Sequence, residues 1–147
     1  MINEKYKYSA ITASIIGCAM EVHKMLGNGF QEVIYQRALA EEFNLKGVNA
    51  SREFEMNVFY KGKVIGVRRV DFLVDNVVSV EIKALTNLED VHLAQAINYL
   101  EVYNLEIGML LNFGSKSLDY RRLINPKFNP KVPNTAKYHQ LNQSNQL

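Results

Sequence analysis

A single cysteine, Cys18, occurs in the 147 residues. That excludes an intrachain disulfide framework and fits a reducing compartment. No apolar run approaches the roughly 20 residues needed to cross a bilayer. Lys5 and Lys7 ahead of Ala10 to Met20 imitate a short signal sequence, but no small-residue cleavage pattern follows and helical apolar spacing continues through Val22, Met25 and Leu26. A soluble, cytoplasmic protein is expected. Internal repeats are absent, and so is a phosphate-binding glycine loop, because Gly27-Asn28-Gly29 lacks the strand-before, helix-after context that such a loop needs. Proline is confined to three positions within 126–133.

What is present suits one domain with a real core: 48% of the residues are hydrophobic, in a chain too short for two ordinary domains. We place that domain at 1–124, with 125–147 as an extended or disordered, basic, Asn/Gln-rich tail. The net charge of +2 is uneven: 1–114 hold 11 Lys/Arg against 14 Asp/Glu, and 115–147 hold 6 against 1. Such an end suits nucleic acid phosphates and a solvated tail equally.

Ser9 is a plausible N-cap for a first helix whose stripe is Ile11, Ile15, Ala19, Val22 and Leu26, stopped by Gly27. Gly17 inside it suggests close packing against another backbone. Phe30, Val33, Ile34, Ala38, Leu39 and Phe43 mark a second helix ending at Lys46-Gly47. His23 reads as part of a solvated polar face. Glu32 near a helix start is favourable for the dipole without any chemistry. Alternation at Phe54, Met56, Val58 and Tyr60 predicts a strand, Lys61-Gly62-Lys63 a turn, and Val64 to Val74 and Val77 to Ala84 two further strands of an antiparallel meander. Thr86 and Glu89 are spaced as a capping box for a helix reaching about Asn104. Ile107 to Phe113 reads as a buried strand parallel to its neighbour, and Leu118 to Ile124 as an edge strand.

The chemistry sits in the meander. Glu81 and Lys83 share one face of a strand, since side chains alternate along it, and hairpin pairing brings Asp71 beside them. Two carboxylates match the number that Mg²⁺ takes from a protein when substrate phosphate and water complete its shell. Held close without a cation they would repel. Lys83 could orient a water or offset charge developing on phosphorus. An ordinary surface pair worth about 0–1 kcal/mol is the competing account. His92, Gln95 and Tyr99 project along one side of the later helix, toward substrate or toward water.

Several ordered blocks carry a resemblance. Glu21-Val22-His23-Lys24, Leu26-Gly27-Asn28-Gly29-Phe30 and Glu32-Val33-Ile34-Tyr35 resemble the opening of the GxxExxY proteins, whose name is met by Gly29, Glu32 and Tyr35. Arg69 to Val74, Val80 to Ala84, Ala94 to Leu100 and Leu110 to Gly114 continue the match, so that most of 10–124 is covered. That family is placed in the PD-(D/E)XK nuclease superfamily. The resemblance implies an α/β (α+β mixed) fold with a restriction-endonuclease-like core, a mixed sheet flanked by helices in the order α-α-β-β-β-α-β(-β). It implies Asp71 and Glu81 as metal ligands, with Lys83 catalytic and Val70 standing where the motif's proline would be. Gln95 and Tyr99 are similar to a Gln-x-x-x-Tyr motif that contacts substrate, and Glu32 matches an acidic residue that completes the metal site in some branches.

The expected function is hydrolysis of nucleic acid phosphodiesters, DNA ahead of RNA, with Mg²⁺ (or Mn²⁺) as cofactor and no membrane partner. A binding module that uses the fold without cleaving, and a subunit of a homodimer or larger complex, are the alternatives.

Overall fold

The computed structural model describes residues 6–133. Helices α1 (Ser9–Leu26) and α2 (Glu32–Leu45) precede strands β1 (Ala50–Tyr60), β2 (Lys63–Val74) and β3 (Val78–Lys83). Helix α3 (Asp90–Tyr103), β4 (Ile107–Asn112) and β5 (Asp119–Ile124) follow. The five strands form one sheet in the order β1-β2-β3-β4-β5. All neighbours are antiparallel except β3 and β4. The α3 crossover is what allows that parallel pair. This is the expected mixed α/β order, edge strand included.

The sheet is covered on both faces. Val78, Val80 and Ile82 of β3 and Ile107, Met109 and Leu111 of β4 pack with Ile15, Ala19 and Val22 of α1 and Tyr35, Leu39 and Phe43 of α2. On the other face, Phe54, Met56, Val70, Leu73 and Leu110 pack with Ala96, Leu100 and Tyr103 of α3. Every residue of β4 is buried, as a central strand covered on both sides requires.

Both tight turns, of two residues between Tyr60 and Lys63 and of three between Val74 and Val78, carry paired left-handed backbone. Lys61 and Gly62 have φ of 49° and 81°, and Asp75 and Asn76 have 50° and 60°; paired positive values favour strands of right-handed twist. A third positive φ, 52° at Glu53, falls inside β1. Pairing skips this residue and the opposite Asp71, running Arg52↔Phe72 and then Phe54↔Val70. Side chains change faces there. Ala50 packs on the α1/α2 side, whereas Phe54 and Met56 lie under α3.

Several sequence expectations need correction. Tyr8, in left-handed conformation, is the N-cap of α1, and Ser9 is its first residue. Gly17 has nothing within 4 Å of an added Cβ and is exposed, so no backbone packs there. Phe30 and Val33 face solvent. Tyr35 takes their place in the core: its hydroxyl donates to the Gly27 carbonyl at 2.7 Å and accepts the Phe30 N–H at 3.0 Å, and its ring stacks on Phe113 at 4.7 Å. The cap of α3 is Glu89, paired with His92 instead of Thr86 with Glu89; the His92 Nδ1 accepts the Glu89 N–H at 3.0 Å. His23 is half-buried and bonds through Nε2 to the Ser115 carbonyl at 3.0 Å. Cys18 is buried as expected. Residues 126–133 lie against the end of α3, where Asn104 Nδ2 donates to the carbonyls of Asn129 and Val132. The rest of the expected tail, 134–147, lies outside the described residues.

The segment leaving β3 is fixed by one side chain. Asn112 is fully buried; its Oδ1 accepts the Leu85 N–H at 2.8 Å and its Nδ2 donates to the Leu85 carbonyl at 2.9 Å. Gly114 lets the two segments approach, since a Cβ there would lie 2.4 Å from Leu85 backbone atoms. Gly114→Ala should therefore cost about 1–3 kcal/mol through forced backbone shifts. A fall in the thermal midpoint checks this, and an unchanged midpoint would refute the close approach.

Candidate functional site

The site lies where β2 leaves β3. Their pairing covers only Phe72↔Val80, Leu73↔Ser79 and Val74↔Val78. Beyond it the Ile82 N–H has lost its strand partner on this side, and the Asp71 carboxylate takes it: Oδ2 accepts that N–H at 2.7 Å. A buried backbone donor demands such an acceptor. Oδ1 accepts from Gln36 Nε2 at 2.8 Å, and Gln36 Oε1 in turn accepts from Arg52 Nε at 3.0 Å. Each carboxylate oxygen keeps a further lone pair.

Glu81 points from β3 to the α3 face and is 8% exposed. Burial, and next the Asp71 carboxylate, push it up to about 7, with Glu32 adding to the rise; Arg68 and Lys83 pull it the other way. Its Oε2 lies 3.5 Å from Arg68 Nη2. Among the described residues its buried Oε1 has no hydrogen-bond partner. Arg68 Cζ sits 4.2 Å from the Tyr99 ring centroid, a cation–π stack, and the buried Arg68 Nε also has no partner among the described residues. Arg68, Glu81, Lys83, His92, Gln95 and Tyr99 line a small pocket of about 10 Å³, room for about one water.

The structure thus brings together Asp71, Glu81 and Lys83 from adjacent strands, with Gln95 and Tyr99 supplied by α3. Glu32, the first residue of α2, is exposed and contributes through its charge at Glu81. Among the described residues no three acidic, His or Cys side chains gather into a ready metal cage. The donor set still fits a hard divalent cation. Two carboxylates are the usual protein share for Mg²⁺, and an orphaned buried oxygen beside a second carboxylate is a place such an ion satisfies.

Sequence reasoning missed Arg68, Gln36 and Tyr103. Tyr103 has a buried hydroxyl without a partner among the described residues, pushed up by burial and within reach of the charges on Arg68 and Glu81. Arg68 was findable: two residues from Val70 on one strand, it had to share a face with a buried position.

Comparison with known proteins follows the same line. The family model described as the PD-(D/E)XK nuclease superfamily matches residues 9–123. The chain belongs to that superfamily. No curated protein matches it. A solved structure, the crystal structure of SSO0001, aligns over 92% of this chain and 74% of that one, with 18% identity and a TM-score of 0.45. Among the described residues, no helix is long and apolar enough to cross a membrane.

The raised Glu81 makes a stability prediction. A carboxyl that holds its proton more tightly in the folded than in the unfolded protein loses stability as pH rises between the two values and remains penalised above about 7. Without divalent ions, Glu81→Gln should be more stable than wild type by an amount on the order of 3 kcal/mol at pH 8, converging on wild type near pH 4. Urea unfolding across pH checks this; a pH-independent difference would contradict it.

Proposed function

We propose that this protein is a metal-dependent nuclease that hydrolyses phosphodiester bonds of nucleic acid, with DNA the first substrate to test, and that within its superfamily it is a GxxExxY protein. The observation that carries the reading is the meeting of Asp71 with the Glu81-x-Lys83 strand at a partnerless, buried carboxylate oxygen. The blocks around Gly29, Glu32 and Tyr35 support the narrower family.

Asp71 and Glu81, with Glu32 from α2, would hold Mg²⁺ or Mn²⁺. The ion, when bound, would polarise the phosphate and favour hydroxide from water. The chain's own groups do the rest. Gln36 and the Ile82 N–H hold the Asp71 carboxylate in one orientation. Lys83, on the same strand face as Glu81, donates to the attacking water or to a non-bridging phosphate oxygen and offsets the charge that grows there. Gln95 and Tyr99 overlook this point from α3 and contact the substrate.

A second reading has one observation behind it. Arg68 already places a positive charge on Glu81, which a site that binds without cleaving would retain.

The test is cleavage of labelled single-stranded, duplex and branched DNA and of RNA, with Mg²⁺ or Mn²⁺, by wild type beside Lys83→Ala. A fall of at least about 10²-fold in the variant is expected. Silence across the panel, with binding that weakens as salt rises, would favour the binding module. In parallel, Mg²⁺ should raise the thermal midpoint of wild type through binding to the folded state, and should leave Asp71→Asn unmoved. Equal shifts in both would place the ion elsewhere.

A further inference from the structure

From Met56 to Val70 the chain carries Lys61, Lys63, Arg68 and Arg69 and no acidic residue. This stretch is the outer part of the β1–β2 hairpin. Beyond Phe72, among the described residues, no third strand pairs with it on the β3 side. Its two faces differ. On the face that continues from the site, the successive pairs are Met56↔Arg68, Val58↔Gly66 and Tyr60↔Lys63, with Ile65 the extra residue where the register shifts. Arg68 lines the site pocket. Gly66 has nothing within 4 Å of an added Cβ, so a bare, open backbone follows. Tyr60 is 60% exposed, and Lys61 Nζ lies 5.4 Å from its ring centroid. The opposite face carries Asn57↔Val67 and Phe59↔Val64, of which Phe59, Val64 and Val67 are apolar and exposed.

Cations at both ends of the strip, an exposed aromatic beside the outer pair, and continuity with the pocket suit a polyanion whose bases can stack. We infer that this face of the hairpin carries the single strand of nucleic acid running out of the site, with a base on Tyr60 and phosphates at Lys61 and Lys63. The inference rests on the reading that the site handles nucleic acid. From Met56↔Arg68 to Tyr60↔Lys63 the strip is roughly 13 Å long, or about four nucleotides at the stacked spacing. Aromatic stacking with a basic groove is how single strands are held without regard to sequence.

The experiment measures binding of fluorescein-labelled oligodeoxythymidines of increasing length by anisotropy in EDTA across a salt series. The proteins are wild type, Tyr60→Ser, the double variant Lys61→Gln/Lys63→Gln, and the opposite-face variant Phe59→Ser/Val64→Thr. We expect Tyr60→Ser to lose about tenfold in affinity. The lysine variant should lower the slope of log affinity against log salt by about 1.4. Both effects should appear only once the oligonucleotide is long enough to reach the hairpin, and the opposite-face variant should bind as wild type. Wild-type affinity and slope in both site-face variants would overturn the inference. So would a loss confined to the opposite-face variant together with a dimer becoming monomer in sedimentation, which would make the hairpin an interface between copies. Because EDTA removes any need for cleavage, a silent cleavage panel with these losses intact would sink the nuclease reading alone, and cleavage lost with Lys83→Ala beside unaltered hairpin binding would sink this inference alone.

Discussion

One hydrogen bond organises the site: the Asp71 carboxylate on the Ile82 N–H. Where β2 parts from β3, a central strand would be left with an unpaired donor, and burying it bare costs about 1–3 kcal/mol. A carboxylate fills the gap. Doing so brings its charge next to Glu81, one residue before the bonded amide. The sheet's divergence and the acidic site are therefore one feature, and the flip of β1 and β2 at Glu53 and Asp71 turns Arg68 to the same face.

The charges that meet there do not balance internally. Glu81 is buried, pressed by Asp71, and relieved by a long contact to Arg68 that leaves one oxygen and the arginine Nε without partners. Groups left unsatisfied in a packed interior cluster at functional sites. A divalent cation at the carboxylates and a phosphate at Arg68 would satisfy both sets together. The same arginine begins the acid-free hairpin, so the pocket and the strip outside it share one element.

Much of this was legible in the chain. Period-two alternation located β1, apolar stretches around the Asp75-Asn76 turn located β2 and β3, the continuous apolar run identified β4 as a buried parallel strand, and Asp71, Glu81 and Lys83 stood out as charges within apolar strands. Counting alternation straight through β1 and β2 hid the face change, because a single positive φ at Glu53 resets the period without a glycine to announce it. Arg68 and Arg69 are identical letters, yet one stacks on Tyr99 and the other pairs with Glu55 at the surface. Gln36 is one polar residue among several on α2, and only the tertiary fold places it at Asp71. Gly17 misled because a helical glycine implies close packing only when another backbone is present.

The most direct test of the account is Mn²⁺ anomalous diffraction from crystals of the protein grown with the ion. The account predicts a peak roughly 2 Å from oxygens of both Asp71 and Glu81, with the Arg68 guanidinium drawn off Glu81. Crystals saturated with Mn²⁺ that show no peak at these carboxylates, with Arg68 still resting on Glu81, would contradict it.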